Sequence, residues 1–255
     1  MFRAGLVACL AGLLIFLALP VLAIFVEASP GELLASLKDP AARDALWLSA
    51  QVTAVAVAII VTVGTPAAWL LATRRFRGRS ALVTLLELPL VVPPAVAGVG
   101  LLAAFGPAGL LGGAGPDLVL ETAGVVVALV FVASPFYVRQ AQAAFAALDP
   151  TWLEASRTSG ASEARTFARV AVPVALPGLG TGLALAWGRA LGEFGATLMF
   201  AGSFRGTTQT APLAIYERFA TDFTSALALS AVLIALSASI LVTVKLLPGR
   251  PDALL

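Results

Sequence analysis

The sequence predicts an all-α membrane protein with six transmembrane helices. Three observations carry this. First, 60% of the residues are hydrophobic and only 12% are charged, against about 25% charged in soluble domains. Second, the apolar residues gather into six stretches, each near the roughly 20 residues a helix needs to cross a bilayer. Third, the arginines crowd alternate links between these stretches, as in chains that cross a membrane repeatedly. No polar link is long enough to bury a core of its own, so no soluble domain is expected.

The first span is read at residues 5–26. Arg3 precedes it in the manner of a signal-peptide n-region, yet the apolar run is long for a signal sequence and Glu27 follows without a clear cleavage site. It is therefore read as a retained span. The second covers 46–72, the third 81–105, the fourth 122–138, the fifth 173–202 and the sixth 223–247. Residues 106–115 read as a turn-rich external loop. Trp47, Trp69 and Trp187 read as span-end or packing aromatics.

Charge orients the spans. Arg74, Arg75, Arg77 and Arg79 occupy the second-to-third link, and Arg139, Arg157, Arg165 and Arg169 lie in or beside the fourth-to-fifth. The first link sets Lys38 and Arg43 against Glu27, Glu32, Asp39 and Asp44, and the third-to-fourth carries Asp117 and Glu121 without a base. By the positive-inside rule both termini and the fourth-to-fifth link are cytoplasmic, with the chain multi-pass in the cytoplasmic membrane. The net charge of +2 is a matter of topology, and no nucleic-acid partner is expected.

Several chemistries are excluded. The chain has no His and one Cys, Cys9, inside an apolar run. That removes Ser-His-Asp catalysis, His-based and thiolate metal sites, and a disulfide framework. A phosphate-binding P-loop needs Gly-Lys-Ser/Thr. The only lysines, Lys38 and Lys245, do not follow glycine. The chain is read as a non-enzyme with no metal and no cofactor of its own. If transport is active, energy enters through a partner or an ion gradient.

The polar link between the fourth and fifth spans is the most informative stretch. Asp149 suits a helix cap, Pro150 the first helical position and Gly160 the left-handed closing residue. The spacing predicts a short helix over about 150–159. So short a helix is marginal alone in water. It needs a groove, for which Trp152 and Leu153 supply apolar anchors. Ser162 then caps a second short helix with Glu163 in its first turn and Ala164, Phe167 and Ala171 on one face.

Two spans carry residues unusual for a membrane helix. In the third, Pro89, Pro93 and Pro94 remove donors and clash with the preceding turn. Freed carbonyls at membrane depth are tolerated inside protein or beside water, which predicts a kinked helix lining a pore, or a kink serving packing. Glu87 falls near the cytoplasmic interface. In the fifth, Arg189 and Glu193 stand four residues apart, on one helical face. Such groups are costly in a span and should face the bundle interior, either along an anion path or as a structural ion pair. Gly188 and Gly192 form a GxxxG pair that permits close helix approach. Thr197 follows as a further pore candidate. Thr207, Thr208 and Thr210 read as exposed loop polarity, with contact to a passing anion as the alternative.

The loop resembles the cytoplasmic "EAA" loop of binding-protein-dependent ABC importer permeases. That pattern runs Glu-Ala-Ala, three residues, Gly, nine residues, Ile-x-Leu-Pro. Here Glu154-Ala155-Ser156, Gly160 and Val170-Ala171-Val172-Pro173 keep every spacing, with Ser156, Val170 and Val172 as conservative departures. The run from Arg189 to Gly202, the Pro-rich residues 88–94 and residues 209–216 are similar to molybdate permeases, with sulfate and tungstate permeases alike around Arg-x-x-Gly-Glu.

The resemblance implies a type I ABC importer permease (MetI-like) core of five helices plus an N-terminal helix. It divides the chain into 1–44 (N-terminal helix and external loop), 45–247 (permease domain, coupling loop about 141–172) and 248–255 (cytoplasmic tail). It implies import of an oxyanion, molybdate first, with sulfate or tungstate as alternatives. It implies a homodimer in membrane lipid, two ATP-binding cassette ATPase subunits holding ATP and Mg, and an external oxyanion-binding protein. Trp152, Leu153, Glu154, Ala155, Ser156 and Gly160 would couple to the ATPase. Pro93, Pro94, Arg189, Glu193 and Thr197 are the pore or gate candidates. The main rival is an ion-gradient transporter with Glu87 or Glu193 as proton carrier. The other is a membrane scaffold that transports nothing.

Overall fold

The computed structural model describes residues 2–112 and 117–246, and every regular element among them is helical. In order they are α1 (Phe2–Glu27), α2 (Pro30–Lys38), α3 (Pro40–Thr73), α4 (Arg79–Val91), α5 (Pro94–Phe105) and α6 (Thr122–Ala146). Then come α7 (Pro150–Thr158), α8 (Glu163–Thr166), a π-helical turn (Phe167–Ala171), α9 (Val172–Leu191), α10 (Gly195–Ala201), α11 (Ala211–Thr221) and α12 (Phe223–Leu246). Five stretches are long and apolar enough to cross a membrane (α1, α3, α6, α8 through α9, and α12), and the bent pair α4–α5 makes up to six. The expected tail at 248–255, and residues 113–115 of the expected external loop, lie outside the described residues.

The centre is a trio of α3, α6 and α9. Small side chains let these helices approach: Ala56, Ala133, Ala141, Ala171 and Ala186 are fully buried. Tyr137 of α6 lies between Gly64 of α3 and Gly182 of α9, where an added Cβ would stand 3.0 and 3.2 Å from its ring. Its hydroxyl pairs with Thr65 Oγ1 at 2.6 Å, satisfying both groups inside the bundle. By contrast, α1 has no buried residue and packs against α12. It is apolar on every side, as suits a helix surrounded by lipid.

The third span corrects the expectation most. Residues 81–105 do not form one kinked helix: α4 and α5 are bent by 117° at Val92 and Pro93. Each half is about 20 Å long or less, too short to cross a bilayer alone. The fifth span, expected as continuous over 173–202, is also interrupted, at Gly192, Glu193 and Phe194. The fourth is longer than read, since α6 carries on to Ala146 and takes in Arg139.

Two helices were not foreseen in the links, α2 and α11. They join the end opposite the Arg-rich one. Ser29 and Glu32 make a reciprocal capping box at the start of α2. Asp39 caps α3 through the Ala41 amide at 3.0 Å and pairs with Arg218 of α11. The Ala211 amide donates to the buried Ser49 Oγ of α3 at 2.7 Å. Ser49→Ala leaves that amide unpaired, a cost of about 1–3 kcal/mol; the measurement is the melting temperature of the solubilised protein, expected to fall.

Burial by itself would raise the Asp39 carboxyl, but hydrogen bonds from Arg218 and the Ala41 amide, with the charge of Arg218, outweigh it and hold it low. A depressed folded-state value means stability present above the ordinary carboxylate range and lost as pH falls through the folded value. Below about pH 4 the native melting temperature should therefore fall more steeply than that of Asp39→Asn. Equal slopes would count against the pair.

Candidate functional site

Two places carry the candidate residues. The first is the loop from α7 to the π-helical turn. Asp149 caps α7 by accepting the Thr151 amide at 2.9 Å, and this bond holds its carboxyl below the usual range. α7 ends at Thr158, and Gly160 takes φ +80°, the left-handed closure the sequence predicts. Leu153 turns inward and packs on the central cluster, while Trp152 stays 39% exposed. Glu154 and Ala155 are exposed, and Ser156 Oγ meets Thr166 Oγ1 at 2.9 Å. Of the two expected anchors, then, Leu153 holds α7 to its own chain and Trp152 faces out.

Ser162 caps α8 by accepting the Arg165 amide at 3.3 Å. The expected single face of Ala164, Phe167 and Ala171 does not form. Ala164 is exposed and Thr166 buried, because the helix passes from four residues at α8 into the wider π-helical turn. Phe167 stacks with Trp69 of α3 and Phe145 of α6, with ring centroids 5.6 and 6.1 Å away. Arg74, just past α3, pairs with Glu163. The arginine-rich links of the sequence are thus joined at one end of the bundle. Nothing in the spacing announced the Arg74–Glu163 partnership, since the two are 89 residues apart.

The second place is where the interrupted spans cross. α5 packs on α10. An added Cβ at Gly195 would stand 2.9 Å from Pro94 Cβ, and one at Gly98 would stand 2.7 Å from both Ala196 O and Met199 Cβ. Pro94 is the first residue of α5, so the break in one span touches the break in the other. Pro93 and Pro94 are exposed on the chain. Sequence reading missed Gly98 and Gly195; the small-residue run Ala95–Gly100 after the proline pair was the available signal.

Beside this crossing, Arg189 Nη2 meets Glu193 Oε2 at 2.6 Å. The four-residue spacing brings them together, but not along one helical face, because α9 has ended by Gly192. Glu193 Oε1 instead accepts the Ala196 amide of α10 at 2.7 Å. Among the described residues, the Gly188–Gly192 pair makes no close approach to another helix. Thr197 is fully buried in α10 and its hydroxyl finds no partner among the described residues. Thr208 and Thr210 are buried rather than exposed, Thr208 Oγ1 accepting the Phe204 amide at 2.9 Å. Glu87 pairs with Arg139 Nε at 2.8 Å.

Residues 64–248 match the family described as binding-protein-dependent transport system inner membrane component. The chain is 39% identical to the molybdenum transport system permease protein ModB of Mycobacterium tuberculosis, over 91% of this chain and 89% of that one. It is 35% identical to a probable molybdenum ABC transporter permease protein of Haloferax volcanii, over 97% and 91%. It is 31% identical to the molybdate/tungstate transport system permease protein WtpB of Pyrococcus abyssi, over 93% and 92%. In fold it is similar to a bacterial ABC transporter that imports alginate, with TM-score 0.75, 15% identity and coverage of 96% and 93%. It is also similar to the MetNI methionine ABC transporter in its inward-facing conformations, with TM-score 0.63, 21% identity and coverage of 79% and 91%. With its helix trio, interrupted spans and short capped loop helix, the chain belongs to the binding-protein-dependent transport system inner membrane components, as a multi-pass membrane permease.

Proposed function

We propose that this chain is the membrane subunit of an ATP-driven importer that carries molybdate across the cytoplasmic membrane, with tungstate and sulfate as the nearest alternatives. The observation that carries the cargo is the 39% identity, over nine-tenths of the chain, to a permease named for molybdenum. Two copies would pair, each taking an ATP-binding cassette subunit on the arginine-rich face. An external binding protein would deliver the anion to the opposite face. Both termini then lie in the cytoplasm. ATP and Mg belong to the ATPase.

α7 supports the docking assignment. It is a capped helix with Trp152, Glu154 and Ala155 outward and Leu153 and Ser156 holding it to the bundle. Closure of the ATPase pair would draw the two α7 helices together. The Phe167 cluster and the Arg74–Glu163 pair would pass that movement to α3 and α6. The anion would cross near the meeting of the interrupted spans, where Pro93, Pro94 and Arg189 lie, with Thr197 buried behind them. A weak, passable field suits a permeant dianion better than a tight site.

The test is reconstitution of the permease with its ATPase and binding protein in sealed vesicles. Uptake of labelled molybdate is expected to require ATP and to be reduced by tungstate more than by chloride. Uptake that survives loss of the ATPase and collapses with the proton gradient would sink this reading. Both carboxylates such a carrier would use, Glu87 and Glu193, are held by arginines.

A further inference from the structure

The pair at the break of the fifth span divides its labour unequally. Glu193 is 1% exposed; one of its oxygens accepts the Ala196 amide, and the other faces Arg189 in an ion pair without the alignment of a hydrogen bond. The Arg189 side chain is 26% exposed. A guanidinium offers five N–H donors, and among the described residues the acidic partner of Arg189 is Glu193. An arginine on a span does not end in hydrocarbon at low cost. Its exposed edge must look onto water or onto another polar group.

Among the described residues, little side-chain bulk flanks it. Gly188 and Arg189 are neighbours in the last turn of α9, and Gly192 is the residue just past its end. A Cβ at Gly188 would meet nothing within 4 Å, and one at Gly192 only the Gly188 carbonyl at 3.4 Å. The two glycines leave a notch flanking the guanidinium. An oxyanion carries only acceptors at its rim, which suits a donor fork.

We propose that Glu193 is a positioning residue. It ties Arg189 to the first turn of α10, so that the free N–H groups of Arg189 face the cargo dianion in the Gly188–Gly192 notch, while Glu193 never touches the cargo. The tie also joins α9 to α10 across the break, so the notch keeps its shape when the spans move. This rests on the oxyanion reading above, which wild-type uptake tests separately: a wild-type complex that carries no oxyanion ends both.

The experiment compares variants of the full reconstituted complex by molybdate taken up per ATP hydrolysed. Glu193→Gln keeps an acceptor for the Ala196 amide and removes the ionic tie. Its uptake per ATP should fall about tenfold, the low end of the coupling between close charge pairs, and Glu193→Asp should recover part of it. Arg189→Lys, a point charge without the fork, should fall similarly. Gly188→Leu adds bulk beside Arg189 from a Cβ position that meets nothing within 4 Å among the described residues, and should lower uptake per ATP in a complex that still assembles. If Glu193→Gln does not fold, Gly188→Leu decides alone. Wild-type uptake per ATP in Gly188→Leu overturns the proposal. So does failure of the two Gly188→Leu copies to pair, which would make the notch a packing seam.

Discussion

Gly98→Val should take apart the crossing of the two interrupted spans. The new Cβ would stand 2.7 Å from the Ala196 carbonyl oxygen and 3.0 Å from Ala196 Cα. Backbone cannot swing aside as a side-chain tip can, so α5 must lift away from α10. Overpacking of this kind costs about 1–3 kcal/mol or more. The same change two residues on is the control. Gly100 lies on the same helix, and a Cβ there meets nothing within 4 Å. Helix propensity is equal in the two variants, so their difference isolates the contact. In detergent, Gly98→Val is expected to melt well below Gly100→Val; equal melting would mean that α5 and α10 do not meet as described.

The second large effect is expected at Gly160. A Cβ there also meets nothing within 4 Å, so crowding plays no part. What matters is φ +80°, which costs an L-residue roughly 1–2 kcal/mol and a β-branched one more. That energy lowers the ratio of closed to open loop by about five- to thirtyfold. Gly160→Val should therefore leave the bundle intact while uptake per ATP drops by up to that factor. Gly160→Asn, which tolerates the left-handed region, should keep most of it. Unimpaired uptake in the valine variant would show that the ATPase does not need this loop geometry.

The loop was largely legible in the sequence because its signals are local. Asp149, Pro150, Gly160 and Ser162 each act within a turn of their own position, and the helix bounds follow. The spans were legible for the same reason: hydropathy needs no partner. What escaped reading depends on residues far apart. The prolines marked the interruption at 92–93, but not its 117° angle or the seating of Gly98 against Ala196 and Met199 of the distant α10. The break after Leu191 escaped as well. An ion pair four residues apart looks the same on paper whether the helix continues or stops, and here Glu193 also accepts the Ala196 amide in the first turn of the next helix. Thr208 and Thr210 looked like loop polarity because α11, which covers their neighbourhood, gave no apolar run long enough to notice.

The buried Tyr137–Thr65 bond has a mechanical consequence. Together with the alanine-lined contacts around it, it makes α3, α6 and α9 a single block that repacks only at high cost. Shape change must then be spent outside that block, and the open main-chain ladder at Val92 and Pro93 is the joint that no side-chain tie described above spans. The molecule behaves less like a flexible tube than like a solid frame carrying a short, stiff flap.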